Sequence, residues 1–100
     1  MASVKSMARR RKLLWSGLAL DDLREIREHV SRDRPAAARK LAQAITDGVL
    51  RLREHPHSGR IVPELPAFRE VIVAPYRIIY DVQPTRVVIL RVWHGRRAFG

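Results

Sequence analysis

One hundred residues suffice for a single domain with one modest core, and a hydrophobic content of 46% places the chain among globular rather than disordered proteins. There is no cysteine, which excludes a disulfide framework, a thiol nucleophile and a zinc–thiolate site. The net charge of +10 is uneven: Lys5, Arg9, Arg10, Arg11 and Lys12 stand without an acid in residues 1–12, residues 21–54 are nearly balanced, and residues 55–100 are basic again.

Residues 1–10 are expected to form a basic, flexible extension, 11–97 one folded domain and 98–100 a short tail, with Met7 a second candidate start. Arg11 to Trp15 reads as a first strand. Ser16 is placed to cap a helix running to about Arg32. Leu23, Ile26 and Val30 give that helix an apolar stripe. Asp21, Asp22 and Glu25 are expected to favour the positive end of its dipole, with Asp21-Asp22 a helix-start charge pair rather than an acid/base dyad. Pro35 suits the first turn of a second helix, because its missing N–H has no intrahelical partner there. Ala38, Leu41, Ile45, Gly48 and Leu52 give the clearest helical period in the chain. Gly48 is expected to mark a close approach between the two helices. The second helix stops before His55-Pro56, since a residue preceding proline avoids the helical region.

A short link between the helices predicts an antiparallel hairpin, whose apolar stripes need a sheet to cover them. His57-Ser58-Gly59-Arg60 reads as a turn, and Pro63 and Pro66 keep the next segment extended. Arg69–Ala74, Tyr76–Val82 and Arg86–Trp93 then read as strands of an antiparallel meander. On the middle strand the face of Arg77, Ile79 and Asp81 is expected to be open. On the last strand the face of Val87, Ile89, Arg91 and Trp93 is placed toward solvent or a partner. The register between strands is not legible, so convergence of Arg77 and Arg91 is left open. The fold class is α+β: an N-terminal strand and a two-helix hairpin packed on a small C-terminal antiparallel sheet. No segment approaches about eighteen apolar residues and no small-x-small cleavage site follows Leu20, so neither a membrane span nor a secretion signal is expected, and the cytoplasm is the expected location.

The charge favours nucleic acid, the ribosome or an acidic protein as partner, or else reflects simple basic solubility. There is no Gly-rich phosphate loop and no nucleophile elbow. His29, His55, His57 and His94 lack metal-ligand spacing, so neither a metal nor a cofactor is expected. His94 is the best titratable candidate, because histidine ordinarily ionises near pH 6.5 and so can act as general acid or base near neutrality. Its other reading is an exposed histidine in a basic tail. Arg69, Arg77 and Arg91 could clamp phosphates, and Arg60, Arg96 and Arg97 extend the list of target- or nucleic-acid-binding candidates. Their other reading is pairing with Glu70, Asp81 or the acidic first helix. Tyr76 and Tyr80 could stack on bases, with Tyr80 better suited to the core. Packing is the default for Trp15 and Trp93.

An ordered set of these residues resembles the RelE/ParE superfamily of bacterial toxins from type II toxin–antitoxin systems. Its carriers are Trp15-Ser16, Asp22-Leu23-x-x-Ile26, Pro35-x-Ala37-Ala38, His55-Pro56-x-x-Gly59-Arg60 and Glu64-Leu65. Arg69, Tyr76-Arg77-Ile78-x-Tyr80 and Ile89-Leu90-x-Val92-Trp93-His94-x-Arg96-Arg97 complete the set. The resemblance implies a toxin domain over 11–97 and a cognate antitoxin whose acidic or amphipathic C-terminal tail blocks it. Operator DNA would then be met only through the antitoxin. ParE-like members inhibit DNA gyrase, and RelE-like members cut messenger RNA in the ribosomal A site without a metal. Arg69 and His94 match positions used by the RNA-cutting branch, with Arg77 a further candidate. Gly95 departs from a subgroup with tyrosine there, and no lysine occurs in residues 41–100. The ParE-like reading is therefore favoured. The alternatives are a RelE-like ribosome-dependent endoribonuclease and a non-toxic relic that only binds its antitoxin.

Overall fold

The computed structural model describes residues 10–95. The stretch 1–9, with Met7, and the segment from residue 96, with Arg96 and Arg97, lie outside the described residues. In chain order the elements are β1 (Lys12–Trp15), α1 (Gly17–Ser31), α2 (Pro35–Leu50), a 3-10 turn (Arg51–Arg53), β2 (Arg60–Val62), β3 (Leu65–Val73), β4 (Tyr76–Val82) and β5 (Arg86–His94). The sheet order is β1-β5-β4-β3-β2. β1 runs parallel to β5 and the other pairs are antiparallel.

The helix ends follow the local chemistry. The Ser16 hydroxyl oxygen accepts from the Ala19 N–H at 3.0 Å and donates to the Leu90 carbonyl at 2.8 Å. One side chain thus starts α1 and fixes it to β5. Pro35 opens α2, where no side chain caps the first turn. Ala19, Ile45, Val49 and Leu52 bury their side chains against Tyr76, Ile78, Tyr80, Val87, Ile89 and Val92. Truncating a fully buried residue such as Ile45 to alanine removes about 2–5 kcal/mol of stability.

Four expectations change. Gly48 does mark a close approach, but to the sheet: a β-carbon there would lie 3.2 Å from Cγ2 of Val73 on β3. Arg60 is not part of the turn but opens β2, and β3 begins at Leu65 rather than Arg69. The prolines hid both. Pro63 lies between β2 and β3, and Pro66 falls where the pairing jumps from Val62↔Leu65 to Ile61↔Arg69, so its missing N–H interrupts no paired position. The face of Val87 and Ile89, placed outward, is core: both residues are 0% exposed. Tyr80 pairs with Ile89 and Ile79 with Arg91, so Leu90 is an extra residue. That bulge breaks the alternation, and Val92 turns inward after it. Finally, the Arg77 face of β4 is not open, since Arg77 and Ile79 are both buried.

None of the described helices is long and apolar enough to cross a membrane.

Candidate functional site

Three of the arginines that mark the sheet, Arg60, Arg77 and Arg91, are engaged with the protein's own acids. Glu70 on β3 has a side chain with 0% exposure, yet it lies between two guanidinium groups. Arg77 Nε and Arg60 Nε each donate to it at 2.6 Å. Arg77 then donates from Nη1 and Nη2 to the two oxygens of Glu64, at 3.2 and 3.1 Å. The hydrogen bonds that Arg77 donates to Glu64 and then to Glu70 raise its pKa, against the opposing effect of burial. The same contact lowers the Glu64 carboxyl pKa. A guanidinium held by two carboxylates in a buried setting is a structural cation.

Arg91 is held in a similar way by a different acid. Its Nε and Nη2 form a fork on Asp22 at 2.8 and 2.9 Å, and the Val92 N–H donates to the same carboxylate at 3.0 Å. The Asp22 hydrogen bonds are the main cause of a raised Arg91 pKa. The guanidinium also sits 4.9 Å from the centroid of the Trp93 ring. The sequence expectation of a helix-start charge at Asp22 is corrected here: the first turn of α1 contains no acid and Asp22 is buried beyond it. The signal that could have revealed this is its spacing. Ala19, Asp22, Leu23 and Ile26 fall at helical steps on one stripe, and a carboxylate on an apolar stripe needs a buried cation. Arg77 and Arg91 are thus held by separate acids, as the pairing alternative foresaw for Glu70 and the first helix.

Arg69 bonds to backbone. Its Nη1 donates to the Gly59 carbonyl at 2.8 Å and to that of His57 at 3.4 Å. It borders a shallow depression of about 230 Å³ with His57, Ile61 and Phe68. Beneath this loop the Tyr80 hydroxyl donates to the Pro56 carbonyl at 2.7 Å and accepts from the Gly59 N–H at 3.0 Å. A β-carbon on Gly59 would collide with the Tyr80 hydroxyl and the Glu70 carbonyl. The His55-Pro56-x-x-Gly59-Arg60 motif is therefore a lock on the sheet: Pro56 and Gly59 hold Tyr80, and Arg60 holds Glu70. Tyr80 is a core residue, and burial raises the pKa of its phenol.

His94 ends β5 opposite Tyr76, with ring centroids 5.7 Å apart in an edge-on contact. Both line a cleft of about 410 Å³ against α1, shared with Trp93, His29, Arg32 and Glu25. Arg69 pairs with Tyr80 and His94 with Tyr76. Those two partners are four positions apart along β4, which is roughly 13 Å of strand. Arg77 belongs to the opposite face of β4 from both tyrosines. Arg69 and His94 therefore lie toward opposite ends of the sheet, and Arg77 belongs to its other face.

Comparison with known proteins gives a consistent picture. A family model described as the ParE toxin of type II toxin–antitoxin system, parDE, matches residues 13–99. Toxin RelE2 of Caulobacter vibrioides is 34% identical over 87 residues, which is 86% of this chain and 97% of that protein. The fold superposes on the chromosomal ParDE toxin–antitoxin system from P. aeruginosa with a TM-score of 0.77 and 26% identity, covering 86% of this chain and 97% of the other. It also superposes on the toxin–antitoxin complex RelBE2 from Mycobacterium tuberculosis, with a TM-score of 0.65, 23% identity, and coverage of 85% and 98%.

Proposed function

The chain belongs to the ParE toxin family of type II toxin–antitoxin systems, and we propose that it is held inactive by a cognate antitoxin and acts by binding and inhibiting DNA gyrase. The observation that carries this reading is the capture of Arg60, Arg77 and Arg91 by Glu70, Glu64 and Asp22. Cleavage of RNA through its 2′-hydroxyl needs a base, an acid for the leaving oxygen and phosphate clamps gathered at one phosphodiester. Arg60, Arg77 and Arg91 are held on carboxylates, and His94 and Arg69 stand at separate places on the sheet. That arrangement supports a toxin that works by occupying its target. Both the antitoxin and gyrase belong to the cytoplasm, so the toxin acts there. An acidic or amphipathic antitoxin tail would be steered toward a chain of net charge +10.

The RelE-like reading keeps one specific support, the cleft that joins His94 to Tyr76 and Trp93. A paired assay decides between the two. Purified protein is added to a gyrase supercoiling reaction and, separately, to a ribosome holding a defined messenger with an empty A site. Gyrase inhibition relieved by antitoxin, with no cut in the A-site codon, is the expected result. Cuts confined to that codon, with supercoiling unaffected, would overturn the proposal and make His94→Ala the next variant.

A further inference from the structure

The hairpin carries a second cationic surface that is built differently from the sheet. A groove of about 690 Å³ runs between α1 and α2. Arg24 and Arg27 line it from α1 and Arg39 from α2, and Glu28 is the only carboxylate lining it among the described residues. Arg24 has a surface pair with Asp21 at 3.1 Å. Arg27 and Arg39 are exposed and enter no ion pair among the described residues. Ala38 and Ala42 also line it, and their short side chains let a broad ligand approach the helices closely. The positive end of the α2 dipole opens at Pro35 on the same groove and adds to the field.

We propose that this groove docks the phosphate backbone of duplex DNA without reading its sequence. The inference does not rest on gyrase being the target. Guanidinium forks match phosphate oxygens two at a time, and phosphate contacts position a protein without specifying bases. A protein partner would instead need apolar or aromatic anchors at the centre of its contact. No large apolar or aromatic side chain lines the groove. The exposed apolar residues Leu18, Leu20, Leu50, Ile61 and Ile72 are absent from its lining, which leaves apolar surface elsewhere for a protein. Single-stranded nucleic acid is held by stacking bases on aromatic rings. Tyr76 and Trp93 line the cleft between the sheet and α1 rather than this groove. A duplex backbone is the anion that asks only for what the groove offers.

The test is fluorescence anisotropy of a short labelled duplex with the full chain, titrated between about 50 and 200 mM salt. Arg27→Gln/Arg39→Gln is compared with Lys12→Gln/Arg86→Gln, which removes the same charge from the β1–β5 pair. Circular dichroism and thermal midpoints establish that both variants are folded. The groove variant is expected to lower the slope of log affinity against log salt by about two, the count of lost phosphate contacts. The control variant is expected to leave the slope unchanged. Equal loss in both variants would overturn the proposal in favour of diffuse charge. Binding of a labelled single strand as tightly as the duplex would also overturn it. So would a polyglutamate peptide that binds the parent more tightly than the duplex and loses that binding in the groove variant.

Discussion

Two regions of this molecule carry positive charge, and they use it in opposite ways. On the sheet, Arg60 and Arg77 meet at the buried Glu70, Arg77 also holds Glu64, and Arg91 holds Asp22. On the hairpin, Arg27 and Arg39 line an open groove without a carboxylate partner among the described residues. A strongly basic composition therefore does not say where the usable charge lies. Arginine beside a buried acid ties strands and helices together, whereas arginine on an exposed helix face remains available to another molecule.

The largest way to break this contrast is at Glu70. Replacing it with alanine takes from the buried Arg77 one of the carboxylates that hold it, and removing one partner of a buried pair destabilises by about 3–5 kcal/mol. Urea denaturation measures it, and a loss under about 1 kcal/mol would mean that the sheet cations are not structural. Asp22→Asn is the next step down. It removes the charged half of the Arg91 fork, and because Arg91 keeps partial contact with water the expected loss is about 1–3 kcal/mol. An unchanged denaturation midpoint would remove Asp22 from the account.

Acid titration sharpens the comparison without a large change in stability. The Glu64 carboxyl is lowered from 4.5 when folded, chiefly by the Arg77 hydrogen bond. A depressed carboxyl contributes stability that is present above its unfolded pKa and is lost as pH falls through the folded one. The parent should therefore lose stability progressively below about pH 4.5, and Glu64→Gln should show a shallower acid limb. Identical acid limbs would contradict a working Arg77–Glu64 contact. The smallest effect is expected on the hairpin, where Arg27→Gln and Arg39→Gln should each stay within about 0.5 kcal/mol of the parent. A larger loss at either position would make that arginine structural as well.

Much of the fold was legible because it rests on local rules. The cap at Ser16, the proline at the start of α2 and the helical spacing from Ala38 to Leu52 each reflect chemistry within a few residues. What escaped depends on pairing between distant segments. The short β2 was hidden because Pro63 and Pro66 read as breakers, although a break in the register accommodates Pro66. The inward face of β5 was misread because one extra residue at Leu90 shifts the alternation, and only the partner strand reveals it. The site was less legible for the same reason. Arg69, Arg77, Arg91 and His94 were identified as residues of interest, but their meaning lies in register: which acid stands opposite each arginine, and which face each residue shares. Asp22 combined both difficulties, since a carboxylate early in a helix looks like a dipole partner until its buried stripe is recognised.

The central claim is that Arg77 serves the fold rather than the target, and a double-mutant cycle between Glu70 and Arg77 tests it most directly. Glu70→Gln, Arg77→Met and the double variant would be unfolded in urea alongside the parent. The account expects a coupling free energy of about 1–3 kcal/mol, as found for residues in one buried ionic network. A coupling near zero, with the single losses simply adding, would contradict it.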